Sequence, residues 1–210
     1  MGQLYPMINT IEPNTVYTNK KSIGIFASGT GTNAANIINH FKNHPTISVS
    51  HIISNRANAG VIKVADVNNL PVILTEKETF FRGNAYVDEL LNADISYIVL
   101  AGFLWKIPQK LIDSYHNKII NIHPALLPKY GGKGMYGNKI HEVVIASGEK
   151  ESGITIHFVD EKYDNGSIIF QTTCPVLTAD TPDSLSQRIH ELEYEHFPKV
   201  IERVIESDHH

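Results

Sequence analysis

The chain holds one cysteine in 210 residues, Cys174, so no internal disulfide can form and a cytoplasmic protein is expected. Cys174 lies in the strand-like run from Thr172 to Val176, where a buried structural thiol is expected rather than a nucleophile. No apolar run is long enough to span a bilayer, and the N-terminus lacks the apolar core of a secretory signal. Met1-Gly2 begins like a myristoylation site, but Pro6 stands where Ser or Thr is needed. Basic blocks are missing as well. Lys and Arg number 18 against 22 Asp and Glu, a net charge of −4, which does not suggest a nucleic-acid partner. Neither Walker A spacing nor a full GxGxxG occurs in the first Gly-rich turn. The composition that remains is ordinary for a globular protein, 42% hydrophobic and 19% charged. At this length one domain with a full core is expected.

Residues 1–20 carry little apolar periodicity and are expected to form an N-terminal extension, with Ile8, Ile11 and Val16 free to pack on a domain spanning 21–206. Asp208-His209-His210 is set aside from that domain. Short apolar runs at 22–27, 47–54, 72–74, 95–101 and 118–122 read as strands. Helical patterns at 34–41, 61–69, 79–91 and 139–146 separate them, with another helix opening at Pro108. This alternation predicts an α/β, Rossmann-like, mostly parallel sheet with helices on both faces. Glu151–Val159 alternates strongly and Ser167–Val176 returns, so a C-terminal antiparallel hairpin extension is expected. The last helix starts with Thr181 as N-cap and Pro182 in first position. It is expected to reach about Glu206 and to kink at Pro198.

Three stretches fall at the C-terminal edge of that sheet, where open α/β sheets bind ligands. Ser28-Gly29-Thr30-Gly31-Thr32-Asn33 joins the first strand to the first helix. Backbone N–H groups and a helix N-terminus there suit a phosphate monoester, and an ordinary βα turn fits the same residues equally well. Gly102 to Pro108 is unusually apolar for a loop. Phe103 reads as a cover for the core, while Leu104 to Ile107 fit either a core or the wall of a flat ligand. In Lys118 to Gly134, Asn121 and His123 are two apart on a strand and emerge on one face. Gly131, Gly132, Gly134 and Gly137 follow, in a loop expected to act as a lid. Asp164, in Asp164-Asn165-Gly166, reads in isolation as a turn residue.

Together these segments resemble the phosphoribosylglycinamide formyltransferase family, within the wider group of formyltetrahydrofolate-using enzymes. The resemblance rests on 27–33, 100–104, 121–128 and 157–166, and runs from about Ser22 to Val204. It implies that Gly31, Thr32 and Asn33 hold the substrate phosphate and that His190 and Glu193 contact that substrate from the final helix. It implies a folate site lined by Leu104, Trp105, Lys106, Ile107, Asn121, Asp160, Glu161, Lys162, Tyr163 and Asp164. It also implies a catalytic group of Asn121, His123 and Asp164, a cis bond at Leu127-Pro128, and no metal. The implied co-substrate is 10-formyltetrahydrofolate, and the implied partners are two small molecules, without nucleic acid or membrane, in a monomer or homodimer. Two departures bear on the folate tail. Trp105 stands where many relatives carry a basic residue, and a tail-binding arginine aligns near Arg82-Gly83.

The chemistry fits the residues on its own terms. An amine attacking a formyl carbon produces an oxyanion, and an amide and a charged imidazole are suitable donors for it. An imidazole charges more easily beside a carboxylate, the place given to Asp164. His157 sits on the same hairpin and could take a part, but a structural histidine is the stronger expectation. A methionyl-tRNA formyltransferase or a formyltetrahydrofolate hydrolase carries an added domain, and a chain closing after one domain is expected to be neither. A non-catalytic nucleotide-binding module leaves Asn121, His123 and Asp164 unexplained.

Overall fold

The computed structural model describes residues 20–83 and 85–208; the expected packing of Ile8, Ile11 and Val16 lies outside the described residues. In chain order the elements are β1 Lys21–Phe26, α1 Thr32–Phe41, β2 Ile47–Ser54, α2 Gly60–Val67, β3 Val72–Leu74, α3 Lys77–Arg82 and α4 Ala85–Asn92. Then come β4 Tyr97–Leu100, α5 Gln109–Ser114, β5 Ile119–His123, α6 Asn138–Ala146, β6 Glu151–Phe158, β7 Ile168–Pro175 and α7 Pro182–Ser207. The strands form one sheet in the order β3-β2-β1-β4-β5-β6-β7. Neighbours from β3 to β5 run parallel, and β6 and β7 join antiparallel, as the expected hairpin extension. Chain direction across the sheet reverses between β1 and β4, which opens a crevice at their C-terminal ends.

Helices cover both faces because both faces of the sheet are apolar. On one side Ile37, Val61, Val144, Ile189 and Ile201 close over Ile23, Ile25 and Val99. On the other, Phe80, Leu90, Leu111 and Ile112 close over Phe26, Ile98 and Ile119. Phe103 packs on the second core, 5.2 Å from the Phe26 ring, as expected of a cover. Cys174 is buried, and burial pushes its thiol pKa up.

The structure corrects three expectations. The helix read across 79–91 is two helices, since Gly83 leaves α3 in extended conformation (φ −88°, ψ 156°). Pro108 caps α5 from outside instead of occupying its first turn. Asp208 belongs to the fold, because the buried Tyr97 hydroxyl donates to its carboxylate. α7 keeps Pro198 inside its span, Pro182–Ser207.

Candidate active site

A cleft of about 610 Å³ opens over the β1/β4/β5 ends, lined at one end by Gly29 to Asn33 and at the other by Asn121, His123 and Asp164. The turn after β1 follows from one glycine. Gly31 has φ +82°, and a Cβ there would lie 2.7 Å from the Val61 Cα, so only glycine joins β1 to α1 this tightly. Gly31 caps α1 with no side-chain hydrogen bond, leaving the first-turn N–H groups of a ten-residue helix at the cleft.

β5 delivers Asn121 and His123 side by side, as their spacing predicts. His123 is 3% exposed. Its Nε2 lies 2.8 Å from the Tyr130 carbonyl oxygen, which only accepts, so Nε2 carries a proton. Nδ1 faces Asp164 Oδ2 at 3.7 Å. That same carboxylate oxygen accepts from the Gly132 N–H at 2.8 Å. Asp164 has the left-handed φ of +51°, which its short polar side chain tolerates. The loop after β5 presses on it. A Cβ at Gly131 would come 2.6 Å from Leu127 Cδ2 and 3.1 Å from the Asp164 Cβ.

β6 adds His157, which pairs directly opposite Asn121. Its Nδ1 donates to the Phe158 carbonyl oxygen at 2.7 Å, so Nε2 is free to accept from the Asn121 amide at 3.0 Å. Asp164 Oδ1 stands 3.8 Å from the same Nε2. Burial holds the His157 pKa below its ordinary value and keeps the ring neutral. One hydrogen of the Asn121 amide is thus committed to His157, and the other remains for a ligand.

A second pocket of about 80 Å³ shares Phe103, Asn121, Tyr163 and Asp164 with the cleft and is otherwise walled by residues such as Trp105, Lys106, Ile107, Asp160 and Lys162. Two ligand spaces therefore meet at the amide and the carboxylate. The formyl transferase family profile matches residues 21–201. The chain belongs to the formyl transferase family.

Its relatives are consistent with that placement. It is 39% identical over 199 residues to a chloroplastic phosphoribosylglycinamide formyltransferase of Vigna unguiculata (91% of this chain, 63% of the relative). It is 35% identical to the Arabidopsis thaliana protein of the same name, covering 90% of this chain and 66% of the relative. The chain thus spans about two thirds of the length of these curated relatives, 63% and 66%. Among solved structures, the phosphoribosylglycinamide formyltransferase of Bacillus halodurans superposes with a TM-score of 0.80 at 33% identity, covering 88% of this chain and 95% of that one.

Most of the residues that the resemblance implied line one or other of the two pockets of this formyl transferase. Leu127-Pro128 is cis. Leu104 lines the large cleft, its N–H tied to the Ser28 hydroxyl at 3.0 Å. Glu161 lines neither pocket. Trp105 sits between Phe80 and Phe81, ring centroids 5.5 and 5.6 Å away, and Arg82 pairs with Glu78 at 3.2 Å on the exposed surface. Thr32 and Asn33 line the cleft, and one hydrogen of the Asn33 amide is committed to Glu193 Oε2 at 2.8 Å. His190 Nδ1 bonds the same oxygen at 2.8 Å, and this partnership raises the His190 pKa.

Sequence reasoning weighed a part for His157 without its partner, and did not single out His141 on α6, which also lines the cleft. The alternation of β6 puts His157 on one face; only the β5–β6 register sets it against Asn121. For a metal, the candidate cluster among the described residues is His44, Glu202 and Glu206 on the outer surface. His44 Nδ1 accepts the Ile47 N–H at 3.1 Å, so Nε2 holds the ring proton toward Glu202 and offers no lone pair. That cluster fits a hydrogen-bonded clip between the α1–β2 connection and α7, not a metal site.

Proposed function

We propose that the chain transfers the formyl group of 10-formyltetrahydrofolate to the amine of N1-(5-phospho-D-ribosyl)glycinamide, yielding the formylated ribonucleotide in purine biosynthesis. The observation that carries this reading is the meeting of two pockets at Asn121 and Asp164, with His123 facing that carboxylate at 3.7 Å. Gly31 and the open N-terminus of α1 supply phosphate donors at the far end of the cleft, with His190 as the cation on the wall. The folate lies against Leu104 to Ile107 and against Asp160, Lys162, Tyr163 and Asp164. A cytoplasmic location and a monomer or homodimer belong to the same reading; the single thiol, unpaired and buried, suits a reducing compartment.

In this reading the amine nitrogen attacks the formyl carbon and the carbonyl oxygen becomes an oxyanion. The second hydrogen of the Asn121 amide and an Nδ1–H of protonated His123 donate to it, while Asp164 balances the imidazolium charge. The C–N bond to the folate then breaks. The proton lost by the amine reaches the departing folate nitrogen through His123 and Asp164, so no further reactant is needed.

Formyl transfer by the wild type beside Asn121→Ala and His123→Ala tests the proposal. Removing an oxyanion donor is expected to lower kcat by ~10²–10³-fold in each variant with the fold intact by circular dichroism. Losses under about fivefold would overturn the site assignment, measured against the ~10²–10⁴-fold usual for positioned acid–base groups. Folate turnover without the ribonucleotide would show a hydrolase instead.

A further inference from the structure

α6 lays Ile140 and Val144 into the first core, and beside them His141 is buried to 2% exposure. Neither ring nitrogen has a hydrogen-bond partner among the described residues, and Nδ1 is fully enclosed. Buried polar groups are ordinarily paired, so an orphan imidazole on an otherwise apolar helix face asks for a partner the chain does not supply. The ring lines the large cleft. Burial holds it neutral, and His190, Glu193 and His123 are close enough to bias its charge. An enclosed Nδ1 is less costly to leave bare as a lone pair than as an N–H. The proton then sits on Nε2, the nitrogen left open to the cleft.

We propose that His141 is a positioning residue for the phosphoribosyl substrate, its Nε2–H donating to an oxygen of the ribosylglycinamide segment between the Gly31–Asn33 turn and His123. The proposal rests on the function given above and adds a contact to it. A neutral donor suits that stretch of substrate. The phosphate end already has backbone N–H groups and His190, and Glu193 Oε2 is occupied by Asn33 and His190. His141 lines the same cleft as the Gly31 turn and His123, so a hydrogen bond from it bears on how far the amine reaches toward His123.

The test compares His141→Phe, which fills the space without a donor, with His141→Gln, whose amide reaches the Nε2 position. Calorimetric binding of glycinamide ribonucleotide and steady-state kinetics with each substrate varied are the readouts. For the Phe variant we expect Kd and KM for the ribonucleotide to rise ~10-fold, the loss of one hydrogen bond, with KM for the formyl donor unchanged. The Gln variant is expected to recover to within about threefold of wild type. Wild-type binding by a folded Phe variant would overturn the proposal. So would equal weakening in both variants accompanied by equal falls in Tm, the mark of a core residue. A wild type that binds the ribonucleotide without formylating it removes the functional reading, while the binding ratio of the variants still decides the role of His141. A wild type that binds no ribonucleotide overturns both.

Discussion

Asn121 owes its aim to a neighbour that takes no direct part in the proposed chemistry. His157 Nε2 accepts one amide hydrogen at 3.0 Å, and the Phe158 carbonyl fixes the tautomer that makes this possible. Without that acceptor the amide is free to rotate, and a half-buried N–H is left unpaired, at about 1–3 kcal/mol. His157→Phe is therefore expected to lower kcat by ~10–10²-fold, less than deleting an oxyanion donor outright, with both KM values little changed. His157→Gln, which restores an acceptor, is expected to recover most of the loss. Steady-state kinetics on the two variants check this, and equal losses would argue for packing alone. Asp164 carries the same lesson at a turn. The sequence Asp-Asn-Gly reads as an ordinary hairpin end, yet its left-handed backbone aims the carboxylate at two imidazoles and the Gly132 N–H.

At the scale of elements, α7 contains a proline that sequence rules place at a kink. Pro198 has no N–H, so the Tyr194 carbonyl one turn earlier loses its helical donor. Asn36 on α1 replaces it, donating Nδ2–H to the Tyr194 oxygen at 2.8 Å. The break in the helix ladder thereby becomes a link between α1, which begins at the Gly31 turn, and α7, which carries Glu193. Asn36→Ala is expected to destabilise the protein by about 1 kcal/mol, and by close to nothing when combined with Pro198→Ala, which restores the helical donor. Chemical denaturation of the four proteins closes that double-mutant cycle. Equal losses in both backgrounds would show that Asn36 acts by some other contact. At the start of α7, Thr181 is the N-cap expected from the Thr-Pro start, and it forms a capping box with Ser184.

The molecule as a whole is expected to weaken on the acid side in two stages. His141 and His157 are held below their ordinary pKa by burial and stay neutral when folded, but take up protons in the unfolded chain near pH 6.5. The unfolded state then binds more protons, so their contribution is present above about pH 6.5 and is lost as pH falls below it. His190, raised by Glu193, acts in the opposite sense and loses its contribution as pH rises through its folded value. Asp180, held low by Arg188 at 2.8 Å, and Glu202, held low by His40, stabilise above the carboxylate range and fail as pH drops through it. Calorimetric Tm is expected to decline from about pH 6.5 to 5 and to fall faster below about pH 4. In a His141→Gln/His157→Gln double variant the first decline is expected to flatten. An unchanged decline would place the loss elsewhere.

Much of this was legible along the chain. Alternating apolar runs and amphipathic periods report burial residue by residue, so the parallel α/β sheet, the C-terminal hairpin and the Gly31 turn follow from local pattern. The Asn121–His123 pair follows too, since two residues on a strand share a face. Strand pairing decided what local pattern does not contain. The β5–β6 register set His157 against Asn121, and the turn after β6 returned Asp164 to His123. Packing of α7 on α1 brought Glu193 to Asn33, 160 residues away in sequence. A side chain's own sequence neighbourhood sets its face and burial, whereas its partner depends on which distant segment buries the same surface, and only the closed tertiary structure determines that.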